Sequence, residues 1–251
     1  MRELLEVWRN TRLIVQVAVT AALYAAALIP FKPIPLIPGI TEVRPANVIP
    51  IVCSLLFGPA AAWGTAFGNL IGDFFGTLGP GSIFGFVGNF LYGYVPYRIW
   101  AETGLLRPQQ GSRSIGGRWL VEYLLVALLA GLVCAVVIGW GCELLGLWPG
   151  FLVATIIFLN NFIVAAVLGP GLLLALYPRV RRWGLLYWQV LDEEPVRASL
   201  RVRVGRLLCW AGCAAALVVG NSIAVHQPGG TEVLTGVAPF LGVVLVGVLL
   251  I

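Results

Sequence analysis

Residues 57–78 read F-G-P-A-A-A-W-G-T-A-F-G-N-L-I-G-D-F-F-G-T-L. The stretch carries one charge, Asp73, and glycine at every fourth place: Gly64, Gly68, Gly72 and Gly76. About 20 apolar residues, at 1.5 Å each, carry an α-helix across the hydrocarbon core of a bilayer. Positions four apart share one helix face. A stripe of glycines there lets another helix approach to backbone distance, which is how membrane helices associate when water does not drive them together. The stretch therefore predicts a membrane span packed closely on a neighbour, and the rest of the chain can be read around it.

The composition agrees. Of 251 residues, 59% are apolar, with 16 Lys+Arg and 11 Asp+Glu, and the mean hydropathy is +0.94. A soluble domain carries about 25% charged residues. These values exclude an ordinary soluble enzyme, a disordered chain and a nucleic-acid binder. Cys53, Cys134, Cys142, Cys209 and Cys213 are odd in number and contain no C-x-x-C, so neither a disulfide framework nor a zinc site is indicated. They read as small buried helix residues.

Apolar runs lie near 11–31, 58–78, 81–100, 119–147, 149–177, 207–225 and 233–251, with a shorter one at 48–57 that becomes a span if it starts near Pro45. The first is longer than the h-region of about 7–15 residues in a signal peptide and has Glu3 and Glu6 in its flank, so it reads as a retained span. Eight spans with the N-terminus cytoplasmic put every basic residue except Lys32 and Arg44 on the cytoplasmic side, satisfying the positive-inside rule. Seven spans would export the two large arginine clusters. The net charge of +5 thus reports topology. The expected fold class is all-α and polytopic. Its organisation is a six-span membrane domain over residues 1–178, a basic cytoplasmic loop over 179–206, and two additional spans over 207–251 that look like an appendage. The basic loop reads first as a solvated, topology-setting segment and, as the alternative, as a surface for anionic membrane lipids.

A polar group inside a span is costly and is a functional hypothesis by default. On the third span Asn69 and Asp73 share a face, toward the outer side. Asn89 lies about 12 Å below the outer end of the fourth span, and Asn160 and Asn161 about 17 Å down the sixth. The first outer loop adds Lys32, Glu42, Arg44 and Asn47, in a segment stiffened by Pro30, Pro33, Pro35, Pro38 and Pro45. A rigid polar flap over grouped amide and carboxylate side chains predicts a small-molecule site open to the outside. Taken singly, each Asn could instead bridge two helices, and Asp73 could form a structural ion pair with Arg44. Ala18, Ala22 and Ala26 form a second small-residue face, on the first span, suited to internal packing or to docking a separate subunit.

The chain contains no phosphate-binding loop, because its one lysine precedes proline; no H-E-x-x-H, because it has one histidine, His226; and no G-x-S-x-G. No catalytic constellation, metal site or cofactor motif is visible.

The runs A-L-Y-A-A-A-L-I-P (22–30), R-P-A-N-V-I-P-I-V (44–52), the stretch from Phe57 to Leu78, and G-F-V-G-N-F-L-Y-G-Y-V-P-Y-R-I-W (85–100) resemble substrate-binding S components of energy-coupling factor (ECF) transporters. Within these, they look most like the branch that includes queuosine-precursor carriers. The resemblance spans roughly residues 12–177. It implies a six-helix core that binds a micronutrient under the first loop, driven by an energising transmembrane subunit and two ATPases. By position it implies binding residues Glu42, Arg44, Asn47, Asn69, Asp73, Asn89, Asn160 and Asn161, and a docking face of Ala18, Ala22 and Ala26. The two C-terminal spans depart from that pattern. The rival readings are a self-sufficient secondary carrier coupled through Asp73, and an intramembrane enzyme using Asp73 with Glu42 or Arg44.

Overall fold

The computed structural model describes residues 2–37, 41–42, 44–103, 118–147, 150–192, 199–226 and 231–251. Every expected apolar run falls on a helix. In chain order these are α1 (Arg2–Glu6), α2 (Thr11–Leu28), α3 (Val48–Phe57), α4 (Pro59–Asp73), α5 (Gly81–Thr103), α6 (Arg118–Leu144), α7 (Gly150–Arg182), α8 (Tyr187–Leu191), α9 (Leu200–His226) and α10 (Thr231–Leu250). The segments that contain α2, α6, α7, α9 and α10 are long and apolar enough to cross a membrane. The helical stretch Pro45–Phe57 is apolar but shorter. Between α2 and α3, Pro35–Ile37 and Thr41–Glu42 form a minimal antiparallel pairing, β1 and β2. The protein is an all-α polytopic membrane protein.

Local sequence sets the joints. Gly58 joins α3 to α4 at φ +54°, a conformation that favours glycine, and Pro59 starts α4 with its φ already helical. α4 ends at Asp73, one turn earlier than the apolar run to Leu78 predicts. Its last carbonyls are closed by turns, Phe75 N–H to Gly72 and Thr77 N–H to Asp73, and Gly76 sits at φ +149°. Asp73 is therefore at a helix end, beside the loop that follows it. α7 continues past the expected boundary to Arg182, passing through Pro170 and Pro178.

The glycine stripe does what its spacing predicts over three of its four members. A Cβ on Gly64 would lie 2.5 Å from Thr20 Cβ, one on Gly68 2.9 Å from the Ala21 carbonyl, and one on Gly72 2.5 Å from Leu28 Cδ2. α4 and α2 thus touch along their length. Gly76, beyond the helix end, has open space around it. On α5, Gly93 meets α4 in the same way, its Cβ position 2.9 Å from Ala62 Cα.

One apolar cluster runs through α3, α5, α6 and α7 and on into α9 and α10. α9 lies against α7 where Gly220 accommodates the Phe151 ring and Asn221 Nδ2 donates to Thr155 Oγ1 (3.0 Å). α10 returns along α9 with Gly247 against Cys209. At the opposite end from the first loop, Arg98 Nη1 pairs with Glu3 (3.1 Å) and its Nε donates to the Ile251 carbonyl. There Tyr187 of α8 packs on Gly58 and Gln16 Nε2 donates to the Leu185 carbonyl (2.6 Å).

Candidate functional site

A cavity of about 340 Å³ opens among α4, α5, α6 and α7, at the end of the bundle that carries the first loop. Six of the expected binding residues line it: Arg44, Asn69, Asp73, Asn89, Asn160 and Asn161. Asn47 does not. It is 1% exposed and sits behind the cavity wall. The side chain of Glu42 and residues 38–40 and 43 lie outside the described residues.

The wall is built from two polar layers. In the first, Asp73 takes an ion pair from Lys32 Nζ at 3.5 Å. Thr77 Oγ1 donates to Asp73 Oδ1 (3.0 Å) and accepts from Lys32 Nζ (2.6 Å). Asn69 Nδ2 donates to the other carboxylate oxygen at 3.2 Å, and its own Oδ1 accepts from Arg44 Nη1 at 3.4 Å. Asn69 and Asp73 meet because they are one helical turn apart on α4. Lys32 reaches them because α2, packed on the α4 stripe, ends beside the end of α4. The expected alternative partner for Asp73 was Arg44; its ion pair is with Lys32.

The second layer lies deeper. Tyr24 Oη sits between Asn47 Oδ1 (3.1 Å) and Asn89 Oδ1 (2.9 Å). Asn47 Nδ2 donates to Asn161 Oδ1 at 2.6 Å, and Asn89 Nδ2 to the Gly85 carbonyl at 2.9 Å. Tyr92 Oη lies 3.1 Å from the carbonyls of both Asn47 and Asn161. Three helices, α2, α5 and α7, and the loop are joined by this network. Buried polar groups in a membrane protein must find partners inside the protein, and here they do. Asn47 is wholly occupied by that task. Asn89 and Asn161 combine it with a place in the cavity wall.

Several cavity residues went unread in the sequence. Cys134 and Cys142 line the cavity from α6, with Thr77 and Ser82 from the segment around the α4–α5 turn and Ile138, Val153 and Ile157 as apolar wall. The two cysteines were indistinguishable from packing residues because thiols behave as small hydrophobes. Thr77 had a signal: it is four residues after Asp73, as Asp73 is after Asn69. The cavity can therefore offer amide, carboxylate, guanidinium and hydroxyl groups to one face of a ligand and aliphatic surface to another, the lining usual for a small-molecule site.

On α2, Ala18, Ala22 and Ala26 are exposed, while Ala21 and Ala25 are buried against the bundle. Among the described residues, no group of three or more His, Cys, Asp or Glu side chains is placed to hold a metal ion.

No curated protein and no solved structure matches the sequence. The family model described as "QueT transporter" matches residues 14–178. That is well over half of the 251 residues, and it takes in the glycine-striped helix, the first loop and the cavity, so the chain belongs to the QueT transporter family.

Proposed function

We propose that the protein is the substrate-capture subunit of an ECF-type uptake transporter and that its cavity takes a queuosine precursor or a related purine-like base. The observation that carries this reading is the cavity itself. Its volume of about 340 Å³ suits a small heterocycle. Its polar face combines the Asn69–Asp73 pair with Arg44, Asn160 and Asn161, a set of donors and acceptors suited to the edge of a purine-like ring, and its aliphatic face suits the ring plane. The first loop lies at the cavity end, and Arg179, Arg181, Arg182, Arg201 and Arg203 belong to the other end. With the arginine-rich end cytoplasmic, as the positive-inside rule favours, the cavity faces outward.

The sequence contains no nucleotide-binding motif, so the energy for uptake comes from elsewhere. An energising transmembrane subunit and two ATPases supply it in this reading, docked against Ala18, Ala22 and Ala26. A self-sufficient carrier would need Asp73 to release and take up an ion during each cycle. Both Asp73 oxygens are already held, by Lys32 and Thr77 on one side and Asn69 on the other. That favours a fixed recognition group over a mobile coupling site. The site binds its ligand without covalent chemistry, in keeping with a transporter family.

The deciding experiment is affinity purification from native membranes, followed by uptake assays in proteoliposomes. Co-purified ATPases and uptake that requires ATP support the capture subunit. Uptake by the purified chain alone, driven by an ion gradient, would establish the carrier instead.

A further inference from the structure

We infer that Lys32 is the positioning residue of this site: its ammonium fixes the Asp73 carboxylate in the cavity wall and pins the start of the first loop to the end of α4. The identity of the ligand rests on the proposed capture role; the contact does not. Lys32 follows the turn Ile29–Phe31 that closes α2, and it is outside the cavity lining. Its side chain is 6% exposed and that of Asp73 7%. Lys32 Nζ, Thr77 Oγ1 and Asp73 Oδ1 close a triangle with sides of 2.6, 3.0 and 3.5 Å.

Taking two charges out of water is costly, and the loss is recovered only where the geometry is good and further hydrogen bonds complete it. Here the Thr77 hydroxyl completes it. The triangle has a directional effect. It commits Oδ1 to the loop side, so the carboxylate turns Oδ2 toward Asn69. On that side α5 presents Gly85. A Cβ there would lie 3.1 Å from Asn69 Nδ2 and 3.7 Å from Asp73 Oδ2. Glycine therefore leaves the Oδ2–Asn69 edge bare toward the cavity, and that edge is what a ligand N–H meets. Lys32 touches no ligand in this scheme. It acts through Asp73, and through the loop it ties down.

The test uses the full chain in lipid nanodiscs. The first measurement needs no ligand: hydrogen exchange at the amides of Lys32 and Ile34, bonded to the carbonyls of Ile29 and Phe31, and at Gly76 and Thr77, bonded to that of Asp73. The second is equilibrium binding of guanine and 7-deazaguanine. Lys32→Met should speed exchange at these amides and weaken binding of the bases by about tenfold or more. Lys32→Arg, which keeps the charge, should return both to within about threefold of the unaltered chain. Asp73→Asn should reproduce the losses, and the double variant should lose no more than about threefold beyond either single one, as expected for two groups acting as one unit. Thr77→Val keeps both charges and removes only the hydroxyl between them; it should move both readouts in the same direction by a smaller factor. Unchanged exchange in Lys32→Met, equal defects in Lys32→Arg and Lys32→Met, or losses that multiply in the double variant would each overturn the assignment. If the unaltered chain binds neither base, the purine-like reading of the ligand fails, and the exchange measurement still decides Lys32.

Discussion

Asn47 and Gly85 show how much a side chain's task depends on what lies behind it. Asn47 was expected in the site because it falls in the polar loop next to a span. Its side chain instead joins Tyr24 to Asn161, and its carbonyl accepts from Tyr92. Replacing it with alanine leaves the buried Asn161 Oδ1 without its donor. Asn47→Ala should therefore cost stability, about 0.6–2 kcal/mol, the range for polar bonds between membrane helices, seen as a lower thermal midpoint of the ligand-free protein. Gly85 should behave in the opposite way. Gly85→Leu projects into the cavity beside Asn69 and Asp73, so a base should bind at least about tenfold more weakly while the thermal midpoint hardly moves. Equal stability losses in both variants would mean that cavity and network are one structural unit. The sequence made the polar set legible because an amide inside an apolar run stands out. It did not separate cavity residues from network residues, since depth along a helix gives a residue's level and not its partner. Lys32 escaped for a related reason: its place in the loop was plain, but its contact depends on α2 and α4 ending side by side.

α2 works through two faces of small residues. Ala21 and the backbone beside it receive the glycine stripe of α4, and Ala18, Ala22 and Ala26 are left uncovered. In the proposed assembly the uncovered face docks the energising subunit. Ala22→Leu should then weaken complex formation and uptake, measured by co-purification and transport, while the solitary protein binds its ligand as before. Gly68→Leu is the contrasting change. Its Cβ position already lies 2.9 Å from the Ala21 carbonyl and from Tyr24 Cβ, so the helices must part. It should lower thermal stability and ligand binding together, because Tyr24 belongs to the network behind the cavity. If Ala22→Leu also abolished binding by the solitary chain, the Ala18–Ala22–Ala26 face would be internal packing. The exact i+4 glycine spacing made the α2–α4 contact foreseeable as a close approach by some helix. Which helix it was, and that α4 would stop at Asp73, depended on turn bonds and on Gly76, features that apolar-run counting does not register.

At the scale of the whole molecule, hydropathy foretold a helix for every apolar run and the resemblance foretold the family, but neither foretold how the C-terminal helices sit. α9 and α10 looked separable because a long arginine-rich loop precedes them. In the structure they share an apolar cluster with α6 and α7, and α8 reaches back to Gly58. Apolar runs show where helices lie; the faces that meet are fixed by complementary shapes such as Phe151 in the Gly220 gap, which no periodicity announces. The matched family region ends at residue 178, before these elements. We therefore expect a chain ending at Arg182 to keep the cavity and bind its ligand as a monodisperse protein, with a lower thermal midpoint than the longer chain. Loss of all folded material would show that the hairpin belongs to the core. The central claim, that the cavity holds a purine-like nutrient beside Asp73, is tested most directly by native mass spectrometry of the protein released from membranes of cells grown in rich medium. The account predicts a small bound molecule whose fragmentation yields a purine-like base, present with the unaltered chain and depleted with Gly85→Leu. A chain that carries only lipid, or a bound molecule of another class retained equally by Gly85→Leu, would contradict it.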